Sequence, residues 1–240
     1  MTSRRRFVTD MVLLLAAVVL ALLARTYVFA IYLIPSDSML PRLLTGDALM
    51  VAKWRFAVRH QLPDRGDIVI FHVPSAKRDF VKRVIGLPGD RVALRDGVVV
   101  LNGRALPRER TPDIAIPIAP NSLCHSPVRT DASIVCIYTG FRESLPDGRQ
   151  HDLIDLGQSE RDDYPEITVP AGHLFVLGDN RDLSADSRVR PEDGGVGLVP
   201  VDQLVGHAQS ILFSVDGSAR WDMPESWGKA VRWHRIGLRV

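Results

Sequence analysis

Two serines two residues apart, Ser36 and Ser38, occupy the proline-bracketed stretch Ile34-Pro35-Ser36-Asp37-Ser38-Met39-Leu40-Pro41. A serine hydroxyl is a weak nucleophile near neutral pH and attacks only with a base within hydrogen-bond reach. Seven histidines are available, His60, His72, His125, His151, His173, His207 and His234, but none falls in a triad signature, and no Gly-x-Ser-x-Gly elbow occurs. A histidine base stays open with nothing to recommend one. Lysine can serve instead where apolar burial leaves its amine neutral, because desolvation disfavours the ammonium. Lys82 is the candidate, mid-strand between Phe80-Val81 and Val84-Ile85. Strand periodicity alone would make Lys82 an outward-facing residue, and turn chemistry alone would make both serines ordinary loop residues.

The elements that must position these groups read as mostly β. Beyond the N-terminus, apolar residues come in short runs broken by turn residues, with 18 Gly and 16 Pro and no long helical period. Strands are predicted at Asp67–Val73, Phe80–Ile85, Ser133–Tyr138, Glu166–Val169, His173–Leu177 and Leu204–Ser214. The run Val92–Gly103 carries Asp96-Gly97 and Asn102-Gly103, dipeptides that suit tight hairpin turns because both central residues need positive φ. The more polar stretch from about Thr111 to Asp163 reads as an elaboration inserted into a β core and not as a catalytic segment.

The N-terminus has a different composition. Met11–Ala24 is uninterruptedly apolar, and a second apolar stretch, Tyr27–Ile34, follows after Arg25 and Thr26. A spanning helix needs about 20 mostly apolar residues, which Phe7–Ala24 plus the next turn supplies, with Tyr27, Phe29 and Tyr32 suited to the interface. Arg4, Arg5 and Arg6 precede it, so the positive-inside rule leaves residues 1–10 in the cytoplasm and exports the rest. A cleaved secretory signal ending at Val28-Phe29-Ala30 would export the domain equally; an uncleaved anchor over residues 11–31 is favoured because the hydrophobicity continues past that site. A buried core helix would leave the triple arginine unexplained.

The remainder of the chain is ordinary in composition, 46% apolar and 24% charged, which excludes a disordered tail, a collagen-like repeat and a polytopic bundle. A net charge of +2 supplies no broad cationic field, so nucleic acid is not expected as a partner. Cys124 and Cys136, an even count in an exported domain, suit a disulfide closing a small loop, the alternative being two free buried thiols. Neither has neighbours at zinc-ligand spacing, so no metal is implied.

Several separated motifs, in order, resemble bacterial signal peptidase I, the membrane-anchored Ser/Lys endopeptidase family. Pro35–Pro41 is similar to its nucleophile box, and Gly46–Lys53 to the β segment that follows. Arg65–Phe71 and Asp79–Asp90 are similar to its general-base region, and Gly178-Asp-Asn-Arg-Asp-Leu-Ser-Ala-Asp-Ser-Arg188 to its last box. Two departures stand out: Leu183 occupies a position usually held by Asn, and Val189–Gly197 is a few residues longer than usual.

The resemblance implies Ser38 as nucleophile and Lys82 as general base, the Ser38 amide and Ser36 hydroxyl as oxyanion hole, Ser184 holding the lysine amine, and Asp186 with Arg188 as an ion pair shaping the site. A substrate strand would add beside Asp79, Phe80 and Val81, with shallow pockets lined by Ile34, Pro35, Met39, Leu43 and Val81. The implied fold is a coiled β-sheet Ser/Lys peptidase with a catalytic β domain from 32–90 and 171–240, an inserted second β region at 91–170, and one transmembrane helix. The implied partners are signal peptides of membrane-held preproteins and the lipid bilayer, with no cofactor and no metal. The implied location is the bacterial inner membrane, single-pass, with the catalytic domain on the periplasmic side. A pilin-transfer or conjugative Ser/Lys peptidase is the nearest alternative. A catalytically dead membrane-tethered binding protein is a more distant one, and intact Ser38, Lys82 and Ser184 speak against it.

Overall fold

The computed structural model of the protein describes residues 2–54, 61–118, 124, 127–130, 134–220 and 222–240, with the backbone alone at 2–5 and 20–27. His60, His125 and Ser133 lie outside the described residues.

The chain enters through helix α1, Thr2–Tyr27, whose apolar side chains from Phe7 to Val19 are exposed. Among the described residues no helix is long and apolar enough to cross a membrane, the described side chains of α1 running only from Arg6 to Val19. The helix ends four residues earlier than the expected span of 11–31. Phe29–Leu33 instead forms strand β1, whose side chains alternate between exposed and half-buried. Aromatic and β-branched residues favour that pleated edge over another helical turn.

The fold is mainly β. Seven strands form the principal sheet: β1; β2, Asp47–Ala52; β3, Ile68–Val73; β4, Arg78–Gly86; and, from the far end of the chain, β15, His173–Leu177, β16, Val199–Pro200, and β17, Leu204–Ser214. Their spatial order is β1-β2-β17-β3-β4-β15-β16, with every pairing antiparallel. Strand β4 thus receives β15 on the edge away from β3, so the two motif-bearing ends of the chain meet there.

The intervening residues form three smaller sheets. Strands β5, Arg91–Arg95, β6, Val98–Leu101, and β7, Arg104–Ala105, form a meander edged by β14, Tyr164–Thr168. Its turns carry Asp96 and Gly97 at φ 48° and 74°, and Asn102 and Gly103 at φ 53° and 78°. Those are the positive values that a two-residue hairpin matching strand twist demands. Strands β8, Arg108–Arg110, β12, Gly140–Ser144, and β13, Gln150–Ile154, form a second sheet; β9, Ile114–Pro117, β10, Pro127–Arg129, and β11, Ile134–Tyr138, form a third. The more polar stretch therefore holds, among the described residues, five regular strands, of which β11 answers the expected strand at Ser133–Tyr138, while β12 and β13 are disguised by polar residues that pair with one another. Cys124 and Cys136 are joined by a disulfide.

Under the principal sheet, Ile34, Met39, Leu43, Leu49, Val51, Ile68, Ile70, Ala208 and Ile211 form one continuous apolar cluster. It fixes the turn that carries Ser38 against β2, β3 and β17. Asp47 reinforces that junction: fully buried at the start of β2, it accepts hydrogen bonds from the Leu44 amide, the Ser214 hydroxyl and both arms of the Arg235 guanidinium.

Candidate active site

After β1 the chain turns into a single 3₁₀ turn, Asp37–Met39, preceded by Ser36 in extended backbone. Thr45 donates to the Asp37 carboxylate at 2.7 Å, and the Leu43 amide bonds to the Met39 carbonyl. From the other end of the chain, the Asn180 amide donates to the Ser38 carbonyl at 3.1 Å and its side-chain amide to the Asp37 carbonyl at 3.2 Å. The turn that carries Ser38 is therefore held from both sides.

Strand β4 begins exposed at Arg78 and Asp79 and is buried from Lys82 onward, where it passes beneath the segment 178–188. That descent removes Lys82 from the solvent-facing position that periodicity alone would assign; 3% of the residue is exposed. Its Nζ lies 2.8 Å from Ser38 Oγ and 2.9 Å from the Val81 carbonyl. Burial pushes the Lys82 amine down to about 8 from its ordinary 10.5, against the opposing pull of Asp186 and Asp179 and with help from the cation of Arg78. With the amine neutral, the serine hydroxyl donates into its lone pair, which is the geometry general-base activation requires.

Arg78, Phe80 and Lys82 share one face of β4. The Arg78 guanidinium lies 4.7 Å from the Phe80 ring centroid and Lys82 Nζ 5.9 Å, with Phe71 stacked on the same ring. The same ring thus carries two basic side chains of β4 near its centroid. Sequence reading missed Arg78, although its i, i+4 spacing from Lys82 along a strand was the available signal.

Segment 178–188 is clamped by two bidentate ion pairs. Asp186 and Arg188 are buried and joined twice at 2.9 Å, and the Gly178 and Arg188 amides also donate to Asp186. Arg83, the neighbour of Lys82, grips Asp179 at 2.7 and 2.6 Å and donates to the Gly66 carbonyl. This second pair lay unnoticed inside the motif. Gly178 allows the approach, since a Cβ there would stand 2.6 Å from the Ser38 carbonyl oxygen and 2.2 Å from Ser184 Oγ.

The remaining expected residues divide. Ser36 Oγ is 3.4 Å from Ser38 Oγ. Ser184 is fully buried beside Gly178, and its hydroxyl forms no hydrogen bond to Lys82; burial acts to raise the Asp186 carboxyl, but Arg188, the Gly178 amide and the neighbouring Ser184 hydroxyl hold it below the usual range. Ile34, Pro35, Met39, Asp79, Phe80 and Val81 line a groove of about 280 Å3 that also contains Ser36, Ser38 and Lys82. Leu43 is outside it: the turn points this side chain into the apolar cluster, where it is fully buried behind Met39. Leu183 and Ala185 line the groove, so the Leu183 departure lies within the site. Tyr32 joins them at the rim, where burial, with Asp79 beside it, raises its phenol to about 12; Asp79 also contacts His72 Nδ1 at 2.7 Å.

The depressed lysine has a thermodynamic signature. Between pH 8 and 10.5 the unfolded chain holds a proton that the folded chain has released, so stability rises with pH across that window, and below it the full penalty of burying an ammonium stands. Lys82→Met should therefore melt above the unsubstituted protein at pH 7, with the gap narrowing toward pH 10.5. A thermal melt series in which the variant melts lower at pH 7 contradicts the assignment.

Comparison with known proteins shows the family of the chain. The family profile described as "Signal peptidase, peptidase S26" matches residues 7–213. The signal peptidase I of Rickettsia typhi is 31% identical over 221 residues, covering 81% of this chain and 76% of its own length; that of Rickettsia rickettsii is 30% identical, covering 90% and 87%. The probable signal peptidase I-1 of Synechocystis is 32% identical over 217 residues, covering 87% and 82%. The chain belongs to the signal peptidase family, peptidase S26, a family of serine endopeptidases.

Proposed function

We propose that this protein cleaves signal peptides from membrane-held preproteins, with Ser38 as nucleophile and Lys82 as general base. The observation that carries the proposal is the 2.8 Å approach of a nearly waterless amine to a serine hydroxyl in a groove. The neutral amine takes the hydroxyl proton as Ser38 Oγ attacks the scissile carbonyl, and the resulting ammonium returns it to the leaving amine. The Ser36 hydroxyl and the Ser38 amide stabilise the oxyanion; removing one such donor costs about 10²–10³ in rate. Water then attacks the acyl-enzyme, with Lys82 again accepting the proton. Ser184 and the Asp186–Arg188 pair act through position, holding the roof of the site.

Substrate binding follows from the free edge of β4. Residues 78–82 pair only with β3 among the described residues, and β15 joins β4 from Arg83 onward. An extended peptide can add along Asp79–Val81, with main-chain bonds giving affinity that is independent of sequence. Ile34, Met39, Val81, Leu183 and Ala185 would then accept small apolar side chains.

Location follows from α1 and β1. Exposed apolar side chains on the helix, together with Phe29, Ile31 and Leu33 on one face of β1, suit a single-pass anchor in the bacterial inner membrane with the site just outside the bilayer. The triple arginine keeps the N-terminus cytoplasmic, and a disulfide suits an oxidising compartment. The catalytic unit would comprise 32–90 and 171–240, with 91–170 as the inserted second β region of a coiled β-sheet Ser/Lys peptidase.

Ser38→Ala and Lys82→Ala should each abolish cleavage of a preprotein in detergent while leaving far-UV circular dichroism unchanged; near-normal turnover by either variant refutes the dyad. Because the base must be neutral, activity should rise through pH 8 and level off above it. Arg78→Gln, by withdrawing the cation across the Phe80 ring, should move that acid limb to higher pH. An unmoved or lowered midpoint would show that Arg78 does not help discharge the lysine.

A further inference from the structure

A second cavity, of about 590 Å3, shares no lining residue with the groove. Its walls come from β4, from β12 and β13 with their connecting turn, and from residues 235–240, and Pro41 and Arg42 of the turn after the nucleophile close one side. Six arginines line it: Arg42, Arg83, Arg142, Arg149, Arg235 and Arg239.

Counting carboxylates separates these six. Arg83 is satisfied by Asp179, Arg235 by Asp47, Arg142 by Asp152, and Arg149 by Asp147 and Asp67. The two lining aspartates, Asp67 and Asp152, are thus already engaged. Arg42 and Arg239 have no carboxylate within ion-pair distance among the described residues; the Arg42 guanidinium donates only to the Arg239 carbonyl. Burial lowers Arg42 below the ordinary guanidinium value and repulsion from Arg83 and Arg235 adds to it, while the Asp179 and Asp152 carboxylates pull the other way. His151, also in the wall, is nine-tenths buried with neither ring nitrogen hydrogen-bonded, its Nε2 3.4 Å from Glu143.

Arg42 and Arg239 are exposed at the cavity with no carboxylate among the described residues bound to them, so their guanidiniums are open to a multiply charged anion. A phosphate offers several acceptor oxygens in the geometry the guanidinium fork matches. Polar and charged residues, six of them arginines, outnumber the apolar ones in its lining, so it suits a headgroup better than an acyl chain. We propose that this cavity binds a phosphate group, carried by an anionic lipid headgroup or by a free phosphate, with Arg42 and Arg239 as its primary ligands and His151 within the wall that receives it.

The test uses the full chain in dodecyl maltoside micelles. Inorganic phosphate and, separately, dihexanoyl phosphatidylglycerol below its micelle concentration are titrated against sodium chloride of equal ionic strength, with binding followed by 31P line broadening and by melting temperature. The unsubstituted protein should broaden at least one phosphate resonance and melt higher with it; the tighter of the two probes identifies the source. The double substitution Arg42→Gln with Arg239→Gln should lose both responses while its circular dichroism matches that of the unsubstituted protein. Arg42→Lys, which keeps the charge and loses the fork, should bind more weakly than the unsubstituted protein. No response beyond that of sodium chloride, or an undiminished response in the double variant, overturns the proposal. So does binding of a short glutamate peptide where neither phosphate probe binds.

Discussion

The contact between Lys82 and Ser38 works only while the amine is uncharged, and that constraint organises the residues around it. Burial supplies the driving force, but two carboxylates, Asp186 and Asp179, lie close enough to favour recharging. Each is held bidentately by its own arginine, Arg188 and Arg83. A carboxylate neutralised at hydrogen-bond distance exerts far less field on a third group than a bare one does. The two pairs therefore do more than brace the segment 178–188 internally and, through Arg83, join it to β4; they discharge the aspartates that this segment must carry. The Arg78 cation acts in the same direction as burial.

This arrangement sets stability against chemistry. A buried amine penalises the folded state at neutral pH, and buried ion pairs are weak net stabilisers because desolvation offsets their attraction. The fold offsets this with apolar clusters on the sheet faces and by bringing distant chain segments to one place. The first strands and the last meet at β2, β3 and β4, and Asp47 ties the nucleophile turn to β17 and Arg235. The six-arginine cavity behind Arg83 repeats the theme, with most cations neutralised and two left facing open space.

What the sequence disclosed follows from which signals are local. The hairpins at Asp96-Gly97 and Asn102-Gly103 were legible because positive φ is a property of the dipeptide itself. Ser38 and Lys82 could be proposed from residue type, yet without motif context each had a plain alternative, because burial of one residue depends on a segment a hundred positions away. Asp186 and Arg188, two apart in a polar stretch, resemble a surface pair, and only the approach of β4 and the Gly178 backbone encloses them. Strands β12 and β13 were hidden by polarity: Glu143 is buried against Arg181 and His151, and Arg142 pairs with Asp152 across the sheet. Leu43 misled in the opposite way, since an apolar residue beside a groove points as readily into the core behind it. Ser184 is buried beside Gly178, but its hydroxyl makes no hydrogen bond to the amine.

The most direct test of the central claim is a titration of the Lys82 amine itself, by heteronuclear NMR of protein labelled at lysine side chains, with Lys82→Met identifying the resonance. The account predicts deprotonation near pH 8, well below the ordinary lysine value of 10.5. A Lys82 resonance that titrates at the ordinary value of 10.5 would mean the amine is charged at working pH and cannot activate Ser38, and the account would fail.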